Sequence, residues 1–326
     1  IQNIISSVDL KEDVVYSFLK RIEFNSGFKY YVVITLRSDV PKRIKLSEDG
    51  GHRTGVDFGT STIAAVSNGE VHLEELAPDS VQYEKEIRHK QNLIDASMRK
   101  HNPDNYNKNG TVKKGKHKWK TTRRCRRLKR QVRVLYRKQS AYVKTSHHTF
   151  INKLLKNTSE LILEPMNFKV LQKKSKKTER KDEATAVQQK DGSVKMVRKY
   201  KRKKRYGHSI KNRSPGLMQA ELKTKATQYG IPYYEIDIHQ YRASQLHHDT
   251  GEYIKPTLSE RFKTIEGHKV QRDLYSAFLI YHTDDTLTAP DFKACHFDFP
   301  HFVEMQETLI SNKKKCGHTM KSCFGF

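Results

Sequence analysis

Apolar and polar positions alternate over Val14–Phe24, break at Asn25-Ser26-Gly27 and resume over residues 28–36. Period two on both sides of a turn signal predicts a β-hairpin. Two strands alone are marginal in water, so the hairpin reads as the end of a small β domain within residues 1–50. The run Thr54-Gly-Val-Asp-Phe-Gly-Thr-Ser-Thr-Ile-Ala-Ala-Val-Ser-Asn-Gly69 predicts a strand, a tight Gly-Thr-Ser turn, a second strand and an Asn-Gly turn. Helical spacing follows from about residue 80 to 156, broken at 102–110 around Pro103. The second of these two helices is expected over 119–155, with Leu128, Val132, Leu135 and Tyr142 as its apolar stripe. Glu160-Leu-Ile-Leu-Glu164, stopped by Pro165, predicts a buried strand with a carboxylate at its end.

Residues 169–213 are the most basic and least apolar part of the chain and predict a flexible insertion. Residues 215–229 predict a helix, with Ser214 as N-cap, Pro215 as first residue, Gly230 as terminator and Leu217, Leu222 and Ala226 facing the core. A strand over 231–238 follows, and the order helix, glycine, strand points to a parallel α/β unit. Residues 239–268 read as loop, and 270–281 as a helix with Leu274, Ala277, Phe278 and Tyr281 on one face. The remainder, from Thr283, reads as a weakly structured basic tail.

Charge changes this picture more than length does. The 326 residues carry a formal net charge of +27, with 30% charged and only 35% hydrophobic residues. A modest core wrapped in basic segments is expected, and a polyanion is the simplest compensating partner. A ribosome-type RNA binder or an anionic membrane surface would also answer the charge. No Asp or Glu occurs between Asp104 and Glu160. A solvated helix normally mixes signs, so the single sign favours a phosphate-tracking segment that includes Lys118, Lys120, Arg123, Arg124, Arg126, Arg127, Arg130, Arg133 and Arg137. The four cysteines, Cys125, Cys295, Cys316 and Cys323, form no CxxC pair, which excludes a four-cysteine zinc ribbon and a disulfide scaffold. A reducing cytoplasm is therefore expected. Cys316, His318 and Cys323 could make a partial metal site, though scattered tail residues are the simpler reading. No signal peptide and no stretch of about 18 apolar residues occurs, so no membrane segment is expected. The chain opens on Ile1, and an N-terminal portion is expected to be missing.

Three acids stand out by context: Asp57 inside an apolar strand, Glu164 at the end of another, and Asp273 near the start of a late helix, after Arg272. Each has a bland alternative as a turn cap, an ion-pair partner or a helix-start acid. Together they can converge at one end of a sheet, where their mutual repulsion would call for divalent cations. Two Mg²⁺ or Mn²⁺ ions about 3.5–4 Å apart could then activate water against a phosphodiester. Hard oxygen ligands suit these ions and not zinc.

The first run resembles the first RuvC motif of TnpB (OrfB) transposon-encoded proteins. Leu161-Ile-Leu-Glu-Pro-Met-Asn-Phe168 and Arg272-Asp-Leu-Tyr-Ser-Ala-Phe278 resemble their second and third motifs, and residues 214–238 resemble the element before the third acid. The resemblance covers about residues 14–282. It implies an α/β, RNase H-like (RuvC) nuclease core over 51–282, carrying a basic helical segment at 75–156 and preceded by the remnant of a β-barrel wedge domain at 1–50. It also implies an RNA-guided DNA endonuclease, related to compact type V CRISPR nucleases. Asp57, Glu164 and Asp273 would then be both catalytic and metal-binding, with Arg272 and the basic helix on nucleic acid, a DNA target and a transposon-end guide RNA as partners, and a prokaryotic, nucleoid-associated setting. The family's zinc ribbon is expected between the strand ending at Ile238 and the third acid. Residues 239–269 contain no cysteine, so that region is degenerate. His239, His247, His248 and His268 lack zinc spacing, and no zinc is expected. A nuclease-inactive RNA-guided DNA binder and a transposase-type strand transferase are the alternatives.

Overall fold

The structure, a computed structural model, describes residues 14–37, 51–172, 182–189, 192–198, 206–257 and 259–326. The runs 173–177 and 199–205 of the expected flexible insertion lie outside the described residues, as do 1–13 and 38–50 of the expected β domain. The chain divides into two compact units, one of residues 1–45 and 77–146, the other of 46–76 and 147–326.

In the first unit the expected hairpin forms from β1 (Val14–Phe24) and β2 (Gly27–Leu36), paired antiparallel from Phe24↔Gly27 outward. Two long helices follow, α1 (Ser80–His101) and α2 (Arg123–Lys156), the second running on into the other unit. Ile87 of α1 packs on Val132 and Leu135 of α2, with Tyr83 and Ile94 alongside. These positions recur at three- and four-residue spacing, so a narrow stripe buries while the arginines between it stay outside. The second helix starts at Arg123, not at 119. Thr122 Oγ1 accepts the Cys125 amide at 3.1 Å, which caps the helix there.

The second unit holds a five-stranded mixed sheet in the order β5-β4-β3-β6-β9. Strands β3 (His52–Phe58), β4 (Thr62–Ser67) and β5 (Glu70–Glu75) form an antiparallel meander. β6 (Thr158–Leu163) and β9 (Tyr233–Glu235) continue it in parallel with β3. The sequence reading missed β5, where three glutamates mask a buried His72-Leu73 pair. It overextended β9, of which three residues pair with β6.

The insertion departs from the flexible reading among its described residues. Strands β7 (Thr185–Gln188) and β8 (Val194–Val197) form an antiparallel hairpin, with α3 (Phe168–Gln172) and α4 (Gly207–Arg213) at the two ends. Next, α5 (Pro215–Tyr229) buries Pro215, Met218, Leu222, Ala226 and Tyr229, so the inward face runs through Met218 and leaves Leu217 40% exposed. Ser214 does not cap this helix through its side chain. It is the joint between two abutting helices, in left-handed conformation, and its amide closes α4 on Ile210 O at 2.8 Å.

Strands β10 (Phe262–Ile265) and β11 (His268–Gln271) form a hairpin that leads straight into α6 (Arg272–Tyr281). The tail is not weakly structured. Residues Phe292–Lys315 form a 24-residue helix, α7, despite Pro300 inside it. Cys295, Phe299, Phe302, Val303 and Gln306 are buried at helical spacing, and the apolar ones join the core of Ala64, Val66, Leu73, Ile162, Tyr275 and Phe278.

Two contacts fix α6 against the sheet. A Cβ on Gly55 would lie 2.3 Å from Tyr281 N and 2.5 Å from Ala277 O, so the helix backbone rests directly on β3. From α7, buried Gln306 accepts the Gln271 amide at 3.0 Å and donates to Lys269 O at 3.1 Å. Gln271 Oε1 in turn accepts the Leu274 amide at 2.7 Å and caps α6. Gln306→Ala orphans buried backbone groups and is expected to cost about 1–3 kcal/mol. Phe297→Ala, at a site 86% exposed on the same helix, is expected to change stability by no more than about 0.5 kcal/mol. Denaturant unfolding of both variants checks this, and equal losses would contradict the clamp.

Candidate active site and basic surface

Strand pairing brings the first two acids together. Val56 of β3 pairs with Leu163 of β6 in parallel, and the Glu164 amide donates to Val56 O at 3.3 Å. Asp57 and Glu164 therefore stand at neighbouring positions where the two strands end. Asp273, in the first turn of α6, lines the same cleft of about 340 Å³. Burial pushes the Asp57 carboxyl well above the usual carboxylate range, and the charges of Glu164 and Asp273 push it further, with Arg272 opposing. Burial raises Glu164 to about 7.

The donor set fits a hard divalent cation. Glu164 Oε2 is buried and, among the described residues, has no hydrogen-bond partner, which is costly for an ionised carboxylate unless a cation serves it. The oxygens of the three acids do not all close to within 4.8 Å of one another, as a single-ion ligand set would.

The cleft also carries cations of its own. Arg272 Nε and Nη2 each lie 3.2 Å from Asp273 Oδ1, and Nη1 donates to Glu260 O at 3.0 Å. Its guanidinium thus holds the third acid and a loop carbonyl, contacts the expectation of nucleic-acid binding did not include. Lys255 and Arg261 line the same cleft, and the sequence reading passed over both as loop residues. Ser209 of α4 ties the turn at the cleft floor, donating to Thr60 O at 2.9 Å and bonding Ser61 Oγ at 2.5 Å. Such long-range ties have no sequence signal.

The basic segment of the first unit splits in two. Arg133 makes a two-pronged bond to Glu23 at 2.6 and 2.8 Å, Arg130 lies 3.4 Å from the same carboxylate, and the Arg137 guanidinium stacks 4.5 Å from the Phe24 ring. Glu23 is accordingly held below the ordinary carboxylate range, chiefly by its bond to Arg133. These three arginines hold the β1–β2 hairpin, a role the expectation of phosphate contact did not include. Arg123, Arg124, Arg126 and Arg127 are exposed, and among the described residues none forms an ion pair. Arg123, Arg126, Arg127 and Arg130 line a groove of about 540 Å³ beside Asn25. Lys118 and Lys120 are exposed on a pinned loop. Asn102 accepts the Lys120 amide at 2.6 Å and donates to its carbonyl at 3.0 Å, and Asn105 donates to Lys118 O at 2.9 Å.

No model of a known protein family matches this chain, and no curated protein matches it. Among solved structures, it is similar to a chain in a cryo-EM structure of a CRISPR-Cas12f ternary complex, at 13% identity and a TM-score of 0.41. The match covers 88% of this chain and 49% of the other, so the chain spans about half the length of that neighbour. A likeness this distant fixes no activity. No helix among the described residues is long and apolar enough to cross a membrane.

The groove arginines are expected to hold phosphates. Replacing Arg123, Arg126 and Arg127 by alanine should weaken oligonucleotide binding and flatten the salt dependence by about 0.7–0.9 for each phosphate no longer neutralised. Arg133→Ala should loosen the hairpin and leave that slope in place. Fluorescence anisotropy over a salt series reads both, and an unchanged slope in the triple variant would refute the assignment.

Proposed function

We propose that this chain is a metal-dependent, RNA-guided DNA endonuclease of the TnpB (OrfB) kind, with Asp57, Glu164 and Asp273 as metal ligands in a RuvC/RNase H-like core. The observation that carries the reading is the bond from the Glu164 amide to Val56 O. It makes two half-buried carboxylates neighbours in a cleft that already contains a third, and among the described residues neither Asp57 nor Glu164 has an ion-pair partner that accounts for that. The sheet supports the same reading: an antiparallel meander continued by parallel strands, with a helix laid across it that carries the last acid.

Two Mg²⁺ or Mn²⁺ ions held by these acids would supply an activated water and neutralise the leaving oxygen of a phosphodiester. The protein's own groups do the remaining work. Arg272 fixes the orientation of Asp273 and compensates part of the acids' charge when phosphate is absent. Lys255 and Arg261 draw the DNA strand into an otherwise acidic cleft. The exposed arginines of α2 hold the guide RNA by its phosphates, while base pairing with the DNA target reads sequence.

Purified with its RNA and supplied with Mg²⁺, the chain is expected to cut complementary DNA. Asp57→Ala and Glu164→Gln should each lower cleavage at least about 100-fold, a loss of several kcal/mol of transition-state stabilisation, without loss of RNA binding. Equal cleavage by Asp57→Ala would sink the three-acid assignment. RNA-directed DNA binding with no cleavage by the wild type would favour a nuclease-inactive binder.

A further inference from the structure

A second group of ligand-bearing side chains lies away from the three acids, and its reading does not depend on theirs. His248 from the long loop, Glu266 from the β10–β11 turn and His296 from α7 each offer one donor atom within 4.8 Å of the others. Glu266 Oε1 is 2.6 Å from His296 Nδ1 and 3.4 Å from His248 Nε2. Donors bonded at about 2.1 Å to one tetrahedral ion stand about 3.4 Å apart, so little movement separates this arrangement from a coordination shell.

His248 is the informative member. Its side chain has no solvent exposure. Its Nδ1 lies 2.8 Å from Tyr275 Oη, and its own backbone amide donates to that hydroxyl at 3.0 Å. Its Nε2 is buried, has no hydrogen-bond partner among the described residues and faces Glu266 Oε1 at 3.4 Å. A ring anchored through one nitrogen, with the other bare and directed at a carboxylate, is how a metal-binding imidazole is held. With the proton on Nδ1 and donated to Tyr275, the Nε2 lone pair is presented to the cluster. The Phe299 ring, 4.9 Å away between centroids, walls the site on its inner side.

We propose that His248 Nε2, the Glu266 carboxylate and His296 Nδ1 bind one divalent transition-metal ion. Zinc suits two imidazoles and a carboxylate best, with water as the fourth ligand. The ion staples the loop and the hairpin to α7 next to the strand that launches α6. The sequence reading discounted His248 for lack of regular zinc spacing; the partners found here stand 18 and 48 residues downstream.

The turn supplies a clean variant. Glu266 and Gly267 both have left-handed backbone, φ +48 and +78, as in a two-residue hairpin turn where asparagine is favoured. Glu266→Asn therefore removes a ligand at a position where it should fold at least as well. The full chain, stripped with EDTA, is titrated with zinc chloride by calorimetry, and thermal unfolding is followed with and without zinc. The wild type and Asp57→Asn should each bind one zinc at this site and melt higher with it. Glu266→Asn and His296→Gln should bind it at least about 100-fold more weakly and lose the zinc-dependent rise, with apo melting points at or above wild type for Glu266→Asn. Tyr275→Phe should weaken binding about 10–100-fold. Zinc uptake and zinc-dependent melting unchanged in Glu266→Asn and His296→Gln, or absent from the wild type, would overturn the proposal.

Discussion

The site depends on one close approach. Helix α6 lies with its backbone against strand β3 because residue 55 has no side chain. Two residues further along that strand is Asp57, and the helix that occupies the vacated space carries Asp273 in its first turn. A methyl group at residue 55 would overlap backbone atoms, not the tip of a flexible side chain, so the helix would have to lift and take the third acid with it. The clamp from Gln306 through Gln271 fixes the same helix at its other end, which makes α7 part of the site's scaffold although none of its residues is among those lining the cleft.

Electrostatics divides the chain in a way its net charge conceals. A protein at +27 nonetheless collects three carboxylates where two strands end and buries one of their oxygens without a partner. Like charges gathered this closely repel one another and oppose folding, and a bound divalent ion, as proposed, would offset that repulsion. The basic excess is itself partly structural. Arg130, Arg133 and Arg137 hold a hairpin through Glu23 and Phe24, while Arg123, Arg126 and Arg127 line a groove with no ion pair among the described residues.

Much of this was legible in the sequence, for identifiable reasons. Asp57 and Glu164 were visible because an acid within an apolar run must be served by something. The hairpin, the two long helices and the helix–glycine–strand unit followed from periodicity and turn residues. β5 was hidden because glutamates make up half of its six residues, and α7 because Pro300 and two histidines interrupt its 295, 299, 302, 303, 306 stripe. The roles of Gly55, Gln306, Arg272 and the His248 cluster could not be read at all, since each is defined by a partner distant in the chain or by the direction a side chain takes.

Direct observation of cations among the three acids tests the account most plainly. Crystals of the chain soaked in Mn²⁺ and measured at the manganese absorption edge should show two anomalous peaks about 3.5–4 Å apart, bracketed by Asp57, Glu164 and Asp273. A well-ordered cleft with no such peaks, or with Arg272 filling the space between the carboxylates, would contradict it.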